Sequence, residues 1–130
     1  MRDTRWIVLL GAAYALSGCG ASASDQVQAK LQQFAHAVAA RDPAALCGQV
    51  LAPALVGHLT AAGLSCEQAM ATFVDSVEDP TISISRVSVT GRHASAIVLT
   101  AARGQSASLQ TVGLIDTRQG WRLSSLAAPR

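Results

Sequence analysis

Lysine occurs once in this chain, at Lys30, tyrosine once, at Tyr14, and aromatic residues of every kind make up only 4% of it. A groove that binds single-stranded nucleic acid needs aromatic platforms and a basic track along the backbone. Neither is present, so nucleic acid is not expected as a partner. Charged residues account for just 14% of the 130 residues, which leaves few groups for acid–base work. His36, His58 and His93 form no HxxxH or HxH pair, and no CxxC or zinc-finger spacing occurs. A metal site is therefore not expected. No GxSxG elbow marks a serine nucleophile, and no motif calls for a cofactor. The longest uncharged apolar run, Trp6 to Leu16, has eleven residues, whereas a bilayer-spanning helix needs about 20. No internal repeat or low-complexity block is found.

That run instead has the length of a signal-peptide core, preceded by Arg2 and Arg5 against Asp3. Leu16-Ser17-Gly18-Cys19 follows: a branched apolar residue, two small residues and a cysteine. It resembles a bacterial lipobox. The resemblance implies cleavage between Gly18 and Cys19, lipid on the Cys19 thiol, and a place on the extracytoplasmic side of the cell membrane. Two acyl chains hold a protein stably where one binds only reversibly. The plainer alternative is a secretory signal that happens to contain a cysteine. The expected organisation is a leader at 1–18, a lipidated cysteine and small-residue tether at 19–24, and one domain at 25–130.

Removing the leader leaves 112 residues with eight basic and seven acidic side chains, the size of one small domain. With Cys19 assigned to lipid, Cys47 and Cys66 remain. In an oxidising compartment they are expected to form a disulfide closing a loop of about 20 residues, worth roughly 3 kcal/mol. A redox pair or half a metal site are the alternatives.

Along the domain, helical spacing comes first. Val27, Leu31, Phe34 and Val38 form one stripe, with Ser24 as the expected cap. Asp42-Pro43 opens a second helix, Pro53 restarts a further turn or two that stop at Gly63, and Ser65 with Gln68 has capping-box spacing for the next helix. From Pro80 the period becomes two. Ile82 and Ile84 alternate with serines, and the phase shifts at Arg86, which predicts a bulge or a bend. Turns at Gly91-Arg92, Gly104 and Thr117–Gly120 then separate three further strands. The reading is an α+β domain, helices first and then a four-stranded antiparallel meander.

This order, closing in Gly120-Trp121-Arg122-Leu123, resembles the nuclear transport factor 2-like superfamily. The stretch from Phe34 to Cys66 also resembles small actinobacterial lipoproteins of that fold, in which two cysteines tie the helical half together. The resemblance implies a curved sheet wrapped round a helix as a cone, with a ligand pocket at the open end in many members. Some members are isomerases or dehydratases with a strand-borne carboxylate base and tyrosine donors. Here Tyr14 leaves with the leader, and Asp116 is the sole carboxylate of the strand region. Asp116 and His58 are the candidate pocket residues. For each the plain reading, a solvated turn acid or a surface histidine, competes with the functional one. Two functions follow: a non-enzymatic envelope lipoprotein that binds a small apolar molecule or an envelope protein, or a small pocket enzyme of the isomerase-like branch.

Overall fold

The computed structural model describes residues 21–126. The leader, the lipobox and Cys19 lie outside the described residues. Helix α1 (Ala23–Ala39) starts where the Ser22 hydroxyl accepts the Asp25 N–H at 3.1 Å. Ser22 thus caps the helix, two residues before the expected Ser24. Asp25 in the first turn meets the positive end of the helix dipole. The stripe of Val27, Leu31, Phe34, Ala37 and Val38 is buried.

The helix ends at Ala40 in a Schellman motif: the Arg41 N–H reaches Val38 O and the Asp42 N–H reaches Ala37 O. Arg41 takes the left-handed position there, with φ of 53°. Asp42 then caps a short helical turn, α2 (Pro43–Ala45), through an Oδ1 bond from the Ala45 N–H at 3.0 Å. That turn widens into a π-helical turn over Leu46–Val50, closed by the Leu51 N–H on Leu46 O. α3 (Pro53–Ala61) stops at Gly63, φ 79°, in a second Schellman motif. α4 (Cys66–Asp75) is capped by Ser65. The Cys47–Cys66 disulfide ties the π-helical turn to the start of α4, as the cysteine count led one to expect.

Strands β1 (Thr81–Thr90), β2 (His93–Ala102), β3 (Gln105–Thr117) and β4 (Gly120–Leu126) form an antiparallel meander in that order. The register shifts between Ile84 and Arg86, where the sequence phase slipped. Further shifts stand at Thr100/Ala102 and Gly113/Leu114. Each adds local twist, so the sheet curls instead of lying flat. At the Gly113 shift, an added Cβ would lie 2.6 Å from Ser125 Oγ, which leaves room for glycine alone without adjustment.

One face of the sheet carries Ala94, Ala96 and Val98 of β2, Val112 and Leu114 of β3, and Trp121 and Leu123 of β4, all buried against the helices. The outer edge of β4 is closed by a short parallel bridge, Leu51 to Leu123, with the Ala52 N–H on Leu123 O at 2.7 Å. The result is helices on an unclosed, curled antiparallel meander, as expected from the order of periods, in the cone arrangement that the resemblance implied.

Candidate functional site

The inward face of the sheet changes character along its strands. In β2 the inward row is Ala94, Ala96 and Val98, then Thr100 and Ala102. Its partner row in β3 reads Leu114 and Val112, then Gln110 and Ser108. Toward the β2–β3 turn the residues become shorter or polar, and they lose their cover. A cleft of about 530 Å³ opens there. Leu31, Phe34 and Val38 of α1 line one side with Phe73 of α4 and Val77 just beyond it. The Phe34 and Phe73 rings stack at 6.5 Å between centroids and tie the two helices together beside the cleft. Val98, Val112 and Leu126 extend the apolar lining across the sheet.

Polar groups in the lining are neutral: hydroxyls of Thr81, Thr100, Ser106 and Ser108 and the amides of Gln105 and Gln110. Thr100 Oγ1 lies 3.3 Å from Ser108 Oγ, and Gln110 Nε2 donates to Ser108 Oγ at 3.4 Å. Bonds this long are weak, so these groups keep capacity for a ligand. Every ionisable residue type is missing from the described lining. A shallower hollow of about 350 Å³ adjoins the cleft past Val38 and Val77; it is edged by Arg41 and Asp79.

His58 lies exposed on α3 and Asp116 half-buried near the end of β3; neither lines the cleft. Asp116 is paired in register with Trp121, at the sheet end opposite the cleft. Its backbone N–H bonds to Arg92 O, and its carbonyl accepts from the Arg92 guanidinium at 2.8 Å. The structure does not bring His58 and Asp116 together. His36 and His93 are also exposed, on separate elements. Among the described residues, no three His, Cys, Asp or Glu side chains gather as a metal site. The cleft residues Thr100, Ser108 and Gln110 were missed from sequence, although the inward phase of Ala94, Ala96 and Val98 runs straight on to Thr100.

A second polar group sits on the other side of β4. Arg122 is 8% exposed; its Nη1 donates to Gly48 O at 2.8 Å and its Nη2 to Gln119 Oε1 at 3.1 Å. Its Nε is buried with no partner. Nearby, Lys30 Nζ donates to Gln49 O at 3.0 Å and to Gln33 Oε1 at 2.7 Å. The two cations thus take carbonyls at the end of the π-helical turn, where the backbone presents unsatisfied acceptors. Burial, and secondarily the Arg122 charge, hold the Lys30 ammonium below its ordinary pKa. This cluster braces the helical half against β4; it does not reach the cleft.

Three solved structures superpose on this arrangement of helices and meander. A protein of Streptomyces avermitilis from the NTF2-like family, provisionally named a dehydratase, superposes with a TM-score of 0.57 at 20% identity, covering 80% of this chain and 93% of that one. An NTF2-like protein of unknown function from Silicibacter pomeroyi gives 0.58 at 17%, covering 81% and 93%. One from Shewanella baltica, also of unknown function, gives 0.51 at 14%, covering 78% and 87%. The fold is nuclear transport factor 2-like. Identities this low carry the fold and no activity. No protein-family profile matches the chain, and no curated protein matches it. Within the nuclear transport factor 2-like cone, the cleft occupies the open end and the Lys30–Arg122 cluster braces the closed one.

Proposed function

We propose that this chain is an exported lipoprotein, anchored through Cys19 on the extracytoplasmic side of the membrane, whose cone binds a small neutral apolar molecule without transforming it. The carrying observation is the lining of the cleft. It offers a large apolar surface, a few neutral hydrogen-bonding groups and no ionisable side chain in the described residues. Pockets for small molecules have this make-up, mostly apolar with a few polar groups that fix orientation. A charged ligand would enter without a counter-charge and would lose its hydration. A carbonyl or hydroxyl could be held by Thr100, Ser108 and Gln110.

The leader at 1–18 and the lipobox Leu16-Ser17-Gly18-Cys19 support the anchoring half of this reading. The disulfide supports an oxidising compartment. The likeness to the Streptomyces protein favours a second reading, a pocket enzyme of the dehydratase or isomerase type. General acid–base catalysis needs a titrating group within reach of the reacting atoms, and the cleft lining supplies none among the described residues, so binding is the stronger reading.

Native mass spectrometry of the exported, oxidised Cys19→Ala chain tests the binding half. A discrete adduct of a neutral apolar compound, lost in Ser108→Phe, is the expected result. An adduct that is anionic, or one unchanged by Ser108→Phe, would count against the cleft as its site. For the anchor, Cys19→Ser should move the protein out of the membrane fraction; unchanged partitioning would remove that half.

A further inference from the structure

The direction of α1 within the cone fixes which end of the domain an anchor at Cys19 would hold down. Val38 and Ala39, at the C-terminal end of α1, share a hollow with Val77, Asp79, Pro80 and Thr81, where β1 begins. The β2–β3 turn is at that same end, since the Arg103 N–H bonds to Glu78 O and Gln105 Nε2 to Ser76 O. Lys30, earlier in α1, lies beside Gln49 and close enough to Arg122 for their charges to interact. Arg122 stands two residues into β4 from its turn. The seven residues of α1 before Lys30 cover about 10 Å more. They bring Ala23 level with the β1–β2 turn at Gly91-Arg92 and the β3–β4 turn at Arg118-Gln119. The cleft lining contains nothing from that end. Its lining on α1 runs from Leu31 to Val38, so it lies about 12 to 22 Å along the helix from the N-terminus at Ala23.

Ala21 and Ser22 are already held by the helix. Ala21 O accepts from the Gln26 side chain at 3.1 Å, and Ser22 supplies both Oγ and O to the first turn. A single residue, Gly20, separates Cys19 from this fixed backbone. Whatever its conformation, Cys19 to Ala21 spans at most roughly 7 Å.

We infer that the lipid anchor sets the orientation of the domain: the end bearing the β1–β2 and β3–β4 turns rests on the membrane surface, α1 rises from it, and the cleft opens away from the bilayer. This rests on the lipoprotein reading given above. Charge is a minor contributor, because Arg92 and Arg118 at that end are offset by Asp25 and Asp116. The shortness of the tether is the orienting device. Its functional consequence is that an apolar ligand exchanges with the aqueous side, or with a protein reaching over it, and not with the leaflet beneath.

The test uses the full lipidated chain in vesicles of phosphatidylcholine and phosphatidylglycerol containing a gadolinium-chelate lipid. With Cys19 acylated and Cys47–Cys66 bonded, one added cysteine is the sole free thiol and takes a nitroxide. Labels at Thr90→Cys and Arg118→Cys should be relaxed by the surface gadolinium several-fold more than a label at Ala107→Cys, near the cleft. Inserting ten Gly/Ser residues after Gly20 should erase the difference. Equal relaxation without the insertion, or stronger relaxation at position 107, would overturn the orientation while leaving the anchor intact. A wild-type chain that fails to sediment with membranes would overturn the anchor itself, and the orientation with it. The two failures are read from different measurements.

Discussion

The two ends of the cone are built from the same strands and the same sheet face, yet one is packed solid and the other is open. At the closed end Leu46, Val50, Leu51 and Leu123 are almost fully buried, and the Cys47–Cys66 disulfide and the Leu51–Leu123 bridge hold the layer shut. At the open end Thr100, Ser108 and Gln110 sit half-buried on the same face, with a cleft in front of them. What separates the ends is side-chain volume and cover, not backbone. Leucine and valine meet a helical layer at one end; hydroxyls and alanines face an open cleft flanked by Leu31, Phe34, Val38, Phe73 and Val77 at the other. Stability should therefore be concentrated at the closed end and binding at the open one. A domain that separates these duties can change its ligand with little cost to its fold.

The largest effect expected from this contrast is Leu123→Ala. Leu123 is fully buried, and removing its branches leaves a cavity in a layer that the disulfide keeps from collapsing, at a cost of about 3–4 kcal/mol. Urea unfolding of the oxidised Cys19→Ala chain checks this; a loss under about 1.5 kcal/mol would mean that the closed end is looser than its burial implies. Next is the disulfide. Its 19-residue separation corresponds to about 3 kcal/mol in the chain-entropy description. A Cys47→Ser/Cys66→Ser double variant should lose that much in unfolding experiments, with its cleft affinity altered less than its stability.

At the open end the expectation is reversed. Thr100→Val deletes a hydroxyl whose bonds to Ser108 are 3.3 and 3.4 Å long, and it should change unfolding free energy by less than about 1 kcal/mol. The same substitution should shift affinity for a carbonyl-bearing apolar probe several-fold in a fluorescence titration. A large stability loss with unchanged binding would collapse the distinction between the two ends.

How much of this was legible beforehand follows the same division. The framework announces itself through period: the Val27–Leu31–Phe34–Val38 stripe, the Asp42-Pro43 start, the Gly63 stop and the phase slip at Arg86 all recur in the structure. Local rules governed each of them. Arg41 was not legible as a left-handed helix stop, because the Schellman bonds of Arg41 and Asp42 there are satisfied without glycine. The π-helical turn was not legible either, since Leu46 and Val50 fit an ordinary helical spacing equally well. The cleft was missed for a different reason. Candidate site residues were chosen by chemistry, as the histidine and the acid that could act, and His58 and Asp116 have nothing to do with the opening. A neutral pocket is lined by residues that look unremarkable singly; only the register that sets Thr100 beside Ser108 and Val98 beside Gln110 turns them into a site.

The smallest effect is also the one that tests the bracing of the closed end most directly. Lys30 titrates below its ordinary 10.5, first because burial disfavours the ammonium and second because Arg122 repels it. In the unfolded chain both causes vanish, so between the lowered folded value and 10.5 the unfolded state binds more protons. Stability should therefore rise with pH across that window, as the folded-state penalty for a charged Lys30 is relieved. Below the window the penalty is constant. Arg122→Gln removes the repulsion but not the burial, so it should raise the Lys30 pKa only part of the way back. NMR titration of the Lys30 side chain in the wild type and in Arg122→Gln reads this. A full return to the ordinary value would make charge, not burial, the dominant cause. No rise at all would place Arg122 too far from Lys30 to act on it, and the two sides of the π-helical turn would then be braced independently.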